Sequence, residues 1–408
     1  MDASDILLGV DVGTTKVAAV IGRRGAPLAL LGAASIPCRG LRRGAVVDVA
    51  ETTRAVIEAV DRARQMAGLG VDSAWVGITG QHLSCLNARA ELDLPRGRKR
   101  ISWGDVEKVM ASAVAAVSIP PDRQMIHAIS RGFWVNGEPR VRNPVGLSAA
   151  RLAVDTHIVT ASRNLVDNVV QCVDRAGLSV SELVAEPLAT ADAVLTEEEE
   201  ELGVLLVDIG GGTTDLALFL DGSITFTGAL PVAGNYITHD VAVALGVPLP
   251  LAEQLKLTYG GAKPSQIPEE ECIVLDEDEA RRVRRRFLCE VIGARVEEMF
   301  QLLTQAMEGV QGRWPPPGGV VITGGGSLLP GTISVAQEVL GCRARLGRPR
   351  VAAGPIELLE TPALATGVGL VYYAHREAES RRGQKGRPVR VLPMLGRVVA
   401  WVRDLFSS

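Results

Sequence analysis

The sequence has little of what disulfide-linked, zinc-binding, secreted or membrane-spanning proteins require. Its six cysteines include no CxxC pair, and its five histidines are dispersed. This argues against a disulfide framework or a zinc site and favours reduced thiols. No run approaches the about 20 apolar residues of a transmembrane helix. The start, MDASDILLGVDVG, lacks the basic segment and cleavage site of a secretion signal. These absences predict a cytosolic protein.

The charge balance excludes another class of protein. A net charge of −4 over 408 residues argues against general nucleic-acid binding, since such proteins concentrate positive charge. An apolar content of 47% with 22% charged residues is typical of a globular protein. The length exceeds one ordinary hydrophobic core, so we expect two or more folding units.

One pattern occurs twice. ILLGVDVGTTKVAAVIG covers residues 6–22, and VLLVDIGGGTTDLALFLDG covers residues 204–222. Each is a buried apolar strand, an aspartate, a turn of glycine and threonine, and a second apolar strand. Because the two hairpins share this signature, we predict two similar α/β lobes that face each other.

Other segments complete the two lobes. Amphipathic helices are predicted over residues 52–67 and 164–177, a strand leading into a helix over 184–195, a strand, triple-glycine turn and helix start over 319–331, and a helix of small residues over 361–374. Residues 84–160 mix strands with a helix at 103–117 and fit an inserted subdomain, whereas residues 251–308 read as mostly helical. The composition then becomes charged and rich in glycine, which predicts a flexible linker over residues 375–392.

The segment after this linker is apolar on one side. Read as a helix that begins at Pro393, it places its apolar residues at spacings of three and four, so they collect on one face. It is too short and too charged to span a bilayer. Two alternatives fit this spacing: a terminal helix docked on the protein, or a helix that lies in a membrane interface.

The two hairpin turns carry the groups that a nucleotide needs. Phosphates require backbone N–H groups, hydroxyls and a lysine, and magnesium requires carboxylates that act through its water shell. The first turn supplies Asp11, Gly13, Thr14, Thr15 and Lys16, and the second supplies Asp208, Gly210, Gly211, Gly212 and Thr213. No GxxxxGK[ST] motif is present, so this is not a Walker loop. The Gly324–Gly326 turn allows close approach to a sugar or base, or is simply a tight connection between a strand and a helix.

These motifs resemble the actin, Hsp70 and hexokinase ATPase superfamily, and within it the bacterial FtsA cell-division family. The segments GVDVGTTKVAAVIG, WVGITGQHL, NPVGLSAARLAVDTHIVTAS, LVAEPLATADAVL, DIGGGTTDLALF, VAGNYITHDVAVALGVPLPLAEQLKLTYG and VVITGGGSLLPG match that family in order, over about residues 5–374. The resemblance implies an α/β, two-lobed actin-like (ribonuclease H-like) ATPase fold with an inserted α+β subdomain and a C-terminal amphipathic helix.

The resemblance also implies a division of the chain. Its expected parts are subdomain 1A (1–83, 161–200 and 358–374), inserted subdomain 1C (84–160), subdomain 2A (201–240 and 309–357), subdomain 2B (241–308), the linker (375–392) and the membrane-binding helix (393–406).

By the same resemblance, the cofactors are ATP and Mg²⁺. Asp11 and Asp208 would face the magnesium ion, and the two turns would hold the phosphates. The nucleoside side would be lined by Asn235, Glu253, Lys256, Gly324, Gly325, Gly326 and Ser327. Glu186 would lie near the attacking water, although a glutamate before proline is more often structural. The resemblance implies a nucleotide switch that cleaves ATP slowly at most.

The expected partners follow from the same family. They are further copies of the chain in a filament, the C-terminal peptide of the tubulin-like protein FtsZ, later division proteins and the anionic cytoplasmic face of the membrane at the division site. The membrane-binding residues would be Met394, Leu395, Arg397, Val398, Trp401, Val402, Leu405 and Phe406. Arg281, Arg285 and Arg295 would contact the FtsZ peptide, or would form only a solvated helix face. Alternatives are a small-molecule kinase and a pilus-assembly or cell-shape actin relative.

Overall fold

The computed structural model describes residues 5–94, 100–275, 281–310, 312 and 314–382. The strands are β1 Ile6–Val12, β2 Lys16–Arg23, β3 Ala29–Pro37, β4 Leu41–Arg42, β5 Ala45–Val46, β6 Ser73–Ile78, β7 Ser84–Asp93, β8 Arg123–Val135, β9 Glu138–Val141, β10 Arg151–Ser162, β11 Ser179–Ala185, β12 Val204–Ile209, β13 Thr214–Leu220, β14 Ser223–Leu230, β15 Cys272–Val274, β16 Arg282–Arg284, β17 Val320–Thr323 and β18 Ala344–Leu346. The α-helices are α1 Val49–Ala67, α2 Trp103–Ala115, α3 Arg163–Arg175, α4 Glu186–Val194, α5 Glu197–Leu202, α6 Gly234–Leu245, α7 Leu249–Tyr259, α8 Arg285–Met307, α9 Thr332–Leu340, α10 Ile356–Leu359 and α11 Ala365–Arg382.

Two five-stranded sheets share one topology. The first has the order β11-β6-β1-β2-β3, and the second has the order β14-β13-β12-β17-β18. In each sheet a central strand pairs antiparallel with the next strand of its hairpin and parallel with a strand on its other side. The repeated hairpin therefore marks two lobes of the same construction, as the sequence predicts.

Both faces of the second sheet are buried. Successive side chains along each strand point to opposite faces, and each face packs in a different core. In β12, Val204 and Leu206 join the core of the first lobe, whereas Leu205, Val207 and Ile209 join the core under α6 and α8. The near-continuous apolar run of the second hairpin reflects this double burial.

An inserted domain is present as predicted. Its four-stranded sheet has the order β7-β10-β8-β9, and α2 packs on one face. Val106, Val109 and Phe133 lie in a separate small core, which explains the amphipathic pattern of α2. The helices predicted over 52–67, 103–117 and 164–177 are confirmed, with ends that differ by up to three residues.

The predicted linker begins too early. Residues 375–382 continue α11, and within them Glu377 is buried and Arg376 is partly buried. Arg376 forms an ion pair with Asp192 of α4, so its charge belongs to the folded body. The charged composition of residues 375–382 predicts a solvated linker. The ion pair between α11 and α4 instead holds this segment on the folded protein. Of the predicted linker, residues 383–392 lie outside the described part of the chain, as does the whole predicted membrane-binding helix.

The region predicted as mostly helical contains a small hairpin. β15 and β16 pair antiparallel, and α8 begins only at Arg285. Arg281 therefore precedes a strand and does not share a helical face with Arg285 and Arg295. The alternating RVR of β16 pairs with Cys272–Val274, and this pairing outweighs the helix propensity of its arginines. Helix α6 also runs through the predicted boundary between residues 240 and 241.

Within the described residues, no single helix has the length and apolar content needed to cross a membrane; α6 and α7 reach them only as a pair bent by 106°.

Candidate functional site: the cleft between the hairpin turns

The two glycine and threonine turns face each other. In each turn a glycine N–H donates to the carbonyl three residues further along the chain. The bonds run from Gly13 to Lys16 and from Gly210 to Thr213, both at 3.0 Å. A Cβ on Gly211 would lie 2.2 Å from the Thr15 side chain, and a Cβ on Gly212 would lie 2.5 Å from Thr14. The sequence uses glycine here because the backbone of one lobe closely approaches the other.

Four buried carboxyl groups converge beside these turns. Asp11 and Asp208 end the central strands of the two sheets, Glu186 begins α4, and Asp215 follows the second turn. Each residue is less than a tenth exposed. Two threonine hydroxyls, those of Thr190 and Thr366, donate to Asp208 Oδ2 at 3.0 Å. The arrangement concentrates four carboxyl groups beside the two turns.

Burial dominates the electrostatics of these groups. It raises the pKa of Asp11 to about 6, an effect that the Lys16 ammonium opposes and the Asp208 carboxylate reinforces. Burial likewise raises the pKa of Asp215 to about 8, although hydrogen bonds from Thr79 and Thr213 favour its ionised form. The pKa of Asp208 is raised by burial as well.

The pKa of Glu186 lies well above its usual range, because of burial first and then repulsion by Asp11, Asp215 and Asp208. Its Oε1 atom is buried without a hydrogen-bond partner among the described residues. A Cβ on Gly77 would lie 2.9 Å from this atom, so glycine leaves room for the carboxyl group. The backbone N–H of Ala185, directly before Glu186, donates to His127 Nε2 of the inserted domain at 3.0 Å.

These carboxyl groups fit a magnesium ion bound through water. Among the described residues, no cluster of three or more His, Cys, Asp or Glu side chains is arranged to hold a metal ion directly. Mg²⁺ typically keeps several waters and takes one or two carboxylates together with phosphate oxygens. A divalent cation would also stabilise the ionised forms that burial disfavours. Asp11 and Asp208, at the ends of the central strands, are the candidate ligands.

Sequence reasoning missed Asp215. The residue after the Thr-Thr pair is Lys16 in the first hairpin and Asp215 in the second, so superposing the two motifs would have found it. Thr79 donates to both Asp215 oxygens at 2.7 Å, across the two lobes. Thr190 and Thr366 lie on helices whose sequences give no such signal. Lys16 itself donates to the carbonyl of Ala363.

The predicted nucleoside-side residues lie together next to the second turn. The N–H groups of Gly234 and Asn235, at the start of α6, donate to Gly210 and Gly211 at 3.1 and 2.8 Å. On α7, Lys256 forms an ion pair with Glu253 at 2.7 Å and donates to Thr238 of α6 at 2.9 Å. Asn235 on α6 and the Glu253–Lys256 pair on α7 thus lie together beside the second turn.

The third glycine turn packs against Asp208 and Ile209. Gly324 has φ of +84°, and a Cβ there would lie 2.2 Å from Asp208 Oδ1. A Cβ on Gly326 would contact Ile209 at 2.4 Å, whereas nothing lies within 4 Å of a Cβ on Gly325. Ser327 donates to the Gly324 carbonyl at 2.7 Å. Packing therefore requires glycine at 324 and 326 but not at 325.

An interlobe contact closes the same cleft nearer the solvent. Arg43, at the tip of the β4–β5 hairpin, donates to the Tyr236 hydroxyl at 2.5 Å. The next residue, Gly44, donates its N–H to Thr14 Oγ1 at 3.3 Å. We call this the Arg43–Tyr236 contact; it joins the first turn to α6 of the second lobe.

The three arginines predicted to bind a peptide have partners within the chain. Arg281 donates to the carbonyls of Leu245 and Gly246, at the end of α6. Arg285 pairs with Glu271 at 2.8 Å, and Arg295 binds Asp240 through two nitrogens. Only Arg295 lines the groove of about 480 Å³ between α6 and α8.

Two lobes of one topology, with paired aspartates and glycine turns between them, define an actin-like nucleotide-binding fold. Solved structures with this fold include the PilM-PilN type IV pilus biogenesis complex, with a TM-score of 0.65 and 19% identity over 90% of this chain and 98% of that chain. MreB5 of Spiroplasma citri bound to ADP has a TM-score of 0.51 and 13% identity, and the match covers 94% of this chain and 100% of that chain. These similarities show the fold alone.

The sequence comparisons identify the family. A family model described as "Cell division protein FtsA" matches residues 205–369, and one described as "SHS2 domain inserted in FTSA" matches residues 80–160. Cell division protein FtsA of Pseudomonas aeruginosa is 37% identical over 91% of this chain and 90% of that protein, and FtsA of Escherichia coli K12 is 32% identical over 98% of each. The chain belongs to the FtsA family and is an actin-like cell-division protein. The predicted resemblance and the predicted insertion are both confirmed.

Proposed function

We propose that this protein is an ATP-dependent switch that polymerises on the cytoplasmic face of the membrane and tethers the FtsZ ring to it. The observation that carries the nucleotide part is the convergence of four buried carboxyl groups and two glycine turns between the lobes. Gly13, Thr14, Thr15 and Lys16 face Gly210–Thr213 across the cleft and supply the phosphate contacts. A magnesium ion there would neutralise phosphate charge when bound.

Glu186 is the candidate for positioning the attacking water. Its carboxyl group is buried, and the backbone directly before it is fixed by the hydrogen bond from Ala185 N–H to His127 Nε2. The raised pKa of Glu186 favours its protonated form, and a cation bound nearby would oppose that shift. Slow hydrolysis follows, because positioning and charge neutralisation supply most of phosphoryl transfer.

Calorimetry with Mg-ATP tests the nucleotide site on the full chain. We expect one site per chain, lost in Asp208→Asn and retained in Glu186→Gln, whose ATP turnover falls at least tenfold. Glu107→Gln, an exposed residue on α2, is the matched control. Absence of Mg-ATP binding by the unaltered chain would refute the nucleotide switch.

Membrane attachment is assigned to residues 393–406, on their amphipathic pattern and on the family resemblance. About eight apolar side chains with a few arginines give modest, reversible binding. Joining many copies in a filament raises retention through effective concentration. Co-sedimentation with anionic liposomes should pellet the full chain and not one that ends at Arg387, with more protein pelleted at higher concentration. Equal recovery of both forms in the supernatant would refute the tether.

The FtsZ peptide is assigned to the groove between α6 and α8. Val243 on α6 is 71% exposed there, and Arg295 lies at its edge. An acidic peptide would compete with Asp240 for the Arg295 guanidinium. Arg281 and Arg285 lie beside this groove and are the further contacts to test. Charge reversal at Arg295 should weaken binding of the FtsZ tail peptide at least fivefold, whereas Lys108→Glu, on α2, should not. Equal affinities would place the peptide elsewhere.

The kinase alternative has a separate prediction. A small-molecule kinase would turn over an added sugar or acetate at millimolar concentration, and we expect no such acceleration of ATP consumption. The relatives at 31–37% identity are cell-division proteins, which favours the switch.

A further inference from the structure

A second cavity lies away from the nucleotide cleft. It has a volume of about 840 Å³ and opens where four parts of the protein meet: β8 of the inserted domain, α5, the β13–β14 turn and the last turns of α11. None of the sequence motifs predicts a site there. We call it the acidic cavity, for the reason that follows.

Its lining is strongly negative. Seven acidic and three basic residues line it. Each of the three guanidinium groups has a partner in the chain: Arg142 pairs with Glu201 at the surface, Arg376 pairs with Asp192, and Arg131 donates to the Thr225 hydroxyl. Glu197 and Glu198, in the first turn of α5, are exposed at its edge. The lining therefore carries net negative charge, and Glu197 and Glu198 are the carboxylates exposed to an incoming segment.

Its floor is apolar. Leu188, Phe219, Ile224 and Tyr373 are buried below the carboxylates, and Leu202 at the rim is 63% exposed. A concave apolar surface edged by charge of one sign fits an amphipathic segment of the opposite charge. An exposed leucine beside a line of glutamates would be covered by such a segment.

The chain itself carries a segment with these properties. Residues 383–408 contain five basic residues and one acidic residue, together with the apolar face around Trp401. They follow directly after α11, whose Glu379 and Ser380 line the acidic cavity. At about 3.5 Å per extended residue, Arg390 lies within about 28 Å of Arg382, which is ample reach.

We propose that the acidic cavity binds residues 383–408 of the same chain, with the basic stretch 385–390 against Glu197 and Glu198. This inference rests on the proposed function, in that the same segment binds the membrane. Docking and membrane insertion then exclude each other, and the docked fraction lowers the apparent membrane affinity in proportion. Because the contact is electrostatic at its rim, added salt releases the segment.

The first test compares vesicle binding of full-length variants. Glu197→Gln/Glu198→Gln should bind anionic vesicles at least threefold more tightly than the unaltered chain, because the competing docked state is weakened. Removing two negative charges anywhere also reduces repulsion from the vesicle. Glu58→Gln/Glu107→Gln removes two exposed carboxylates far from the cavity and measures that general effect. Equal gains in the two double variants would overturn the proposal.

The second test needs no substitution. Amide exchange of the full chain should quicken in residues 129–132 and 197–202 when salt is raised or anionic vesicles are added, while the α1 amides stay unchanged. If the amide exchange rates in the cavity do not change with salt or vesicles, the docking proposal is overturned. The cavity would then remain a site for a basic peptide of another protein. If exchange responds to salt but the chain never binds vesicles, the docking stands and the membrane tether fails.

Discussion

At the residue scale, the two hairpins carry opposite charges at one equivalent position. Lys16 and Asp215 each follow a Thr-Thr pair, yet Lys16 donates to a backbone carbonyl whereas Asp215 is buried and hydrogen-bonded by Thr79 from the other lobe. A buried carboxyl group held this way opposes folding whenever it must ionise. A cation bound in the cleft would stabilise its ionised form.

Replacing Asp215 by asparagine therefore has a defined pH signature. The pKa of Asp215 is about 8 in the folded chain and near 3.8 when unfolded, so the folded form binds the extra proton between these values. The stability that this proton contributes is present below pH 3.8 and is lost as pH rises towards 8. Without nucleotide, Asp215→Asn should raise the free energy of unfolding by more than about 1 kcal/mol at pH 8 and little at pH 4. Urea melts at both pH values measure this; an equal gain at both would contradict it.

The pKa of His127 is lowered, whereas that of Asp215 is raised, so the two residues change stability in opposite directions as pH rises. Burial lowers the pKa of His127 to about 3 from its usual 6.5, so the unfolded chain binds the proton between these values. Stability from the neutral ring is present above pH 6.5 and is lost as pH falls towards 3, by about 2 kcal/mol at pH 5. His127→Gln, whose amide oxygen can still accept from Ala185 N–H, should flatten this acid limb. His239→Gln on the exposed side of α6 is the control; parallel curves for both variants would exclude His127 as the cause.

Sequence reasoning identified the residues that sit in repeated motifs and missed those that act from outside them. Asp11, Asp208 and the two turns follow from the pattern, because a hairpin brings its own residues together. His127 is 58 residues before its partner Ala185, and Thr366 is 158 residues after its partner Asp208, so only the tertiary fold unites them.

At the element scale, the third glycine turn shows which glycines the backbone demands. Gly324 adopts positive φ, and its Cβ position is filled by Asp208, whereas the Gly325 position is open. The backbone and its packing therefore require glycine at position 324 but not at position 325.

Alanine substitutions separate these reasons. Gly324→Ala should lower the free energy of unfolding by about 2 kcal/mol or more, because it strains the backbone and displaces the Asp208 carboxyl. Gly325→Ala should leave the melting temperature unchanged, and any loss of Mg-ATP affinity in it then reports contact with the nucleoside. Thermal melts with calorimetry distinguish the cases; equal destabilisation by both would contradict the structure.

Element boundaries were predicted best where the apolar period was strong. Helices α1, α2 and α3 match closely because each packs one face on a sheet. Local composition gave a wrong prediction in two places. The charged end of α11 was predicted as a linker, and the arginines of β16 were predicted as part of a helix. In both places a distant partner, Asp192 or the strand β15, decides the outcome.

At the scale of the whole molecule, the Arg43–Tyr236 contact links the lobes on the open side of the cleft. Its donor sits on the hairpin that also contacts Thr14, so opening the lobes would disturb the first turn. Arg43→Ala should speed nucleotide dissociation about two- to fivefold, consistent with one partly exposed charge-assisted hydrogen bond. Tyr236→Phe keeps the ring and should show part of that effect. Stopped-flow release of a fluorescent ATP analogue measures both; unchanged rates would show that the contact does not hold the cleft closed.

Helix α11 runs from the nucleotide cleft to the acidic cavity. Its first turn bonds Asp208 through Thr366, and a Cβ on Gly369 in its second turn would lie 2.0 Å from the Ala189 carbonyl of α4. Glu379 and Ser380, near its end, line the acidic cavity. Eighteen residues make a rod of about 27 Å, so a tilt of about 10° at the nucleotide end moves the far end by about 5 Å. If α11 moved as a rigid rod, a change of charge at Asp208 would displace the surface from which residues 383–408 continue.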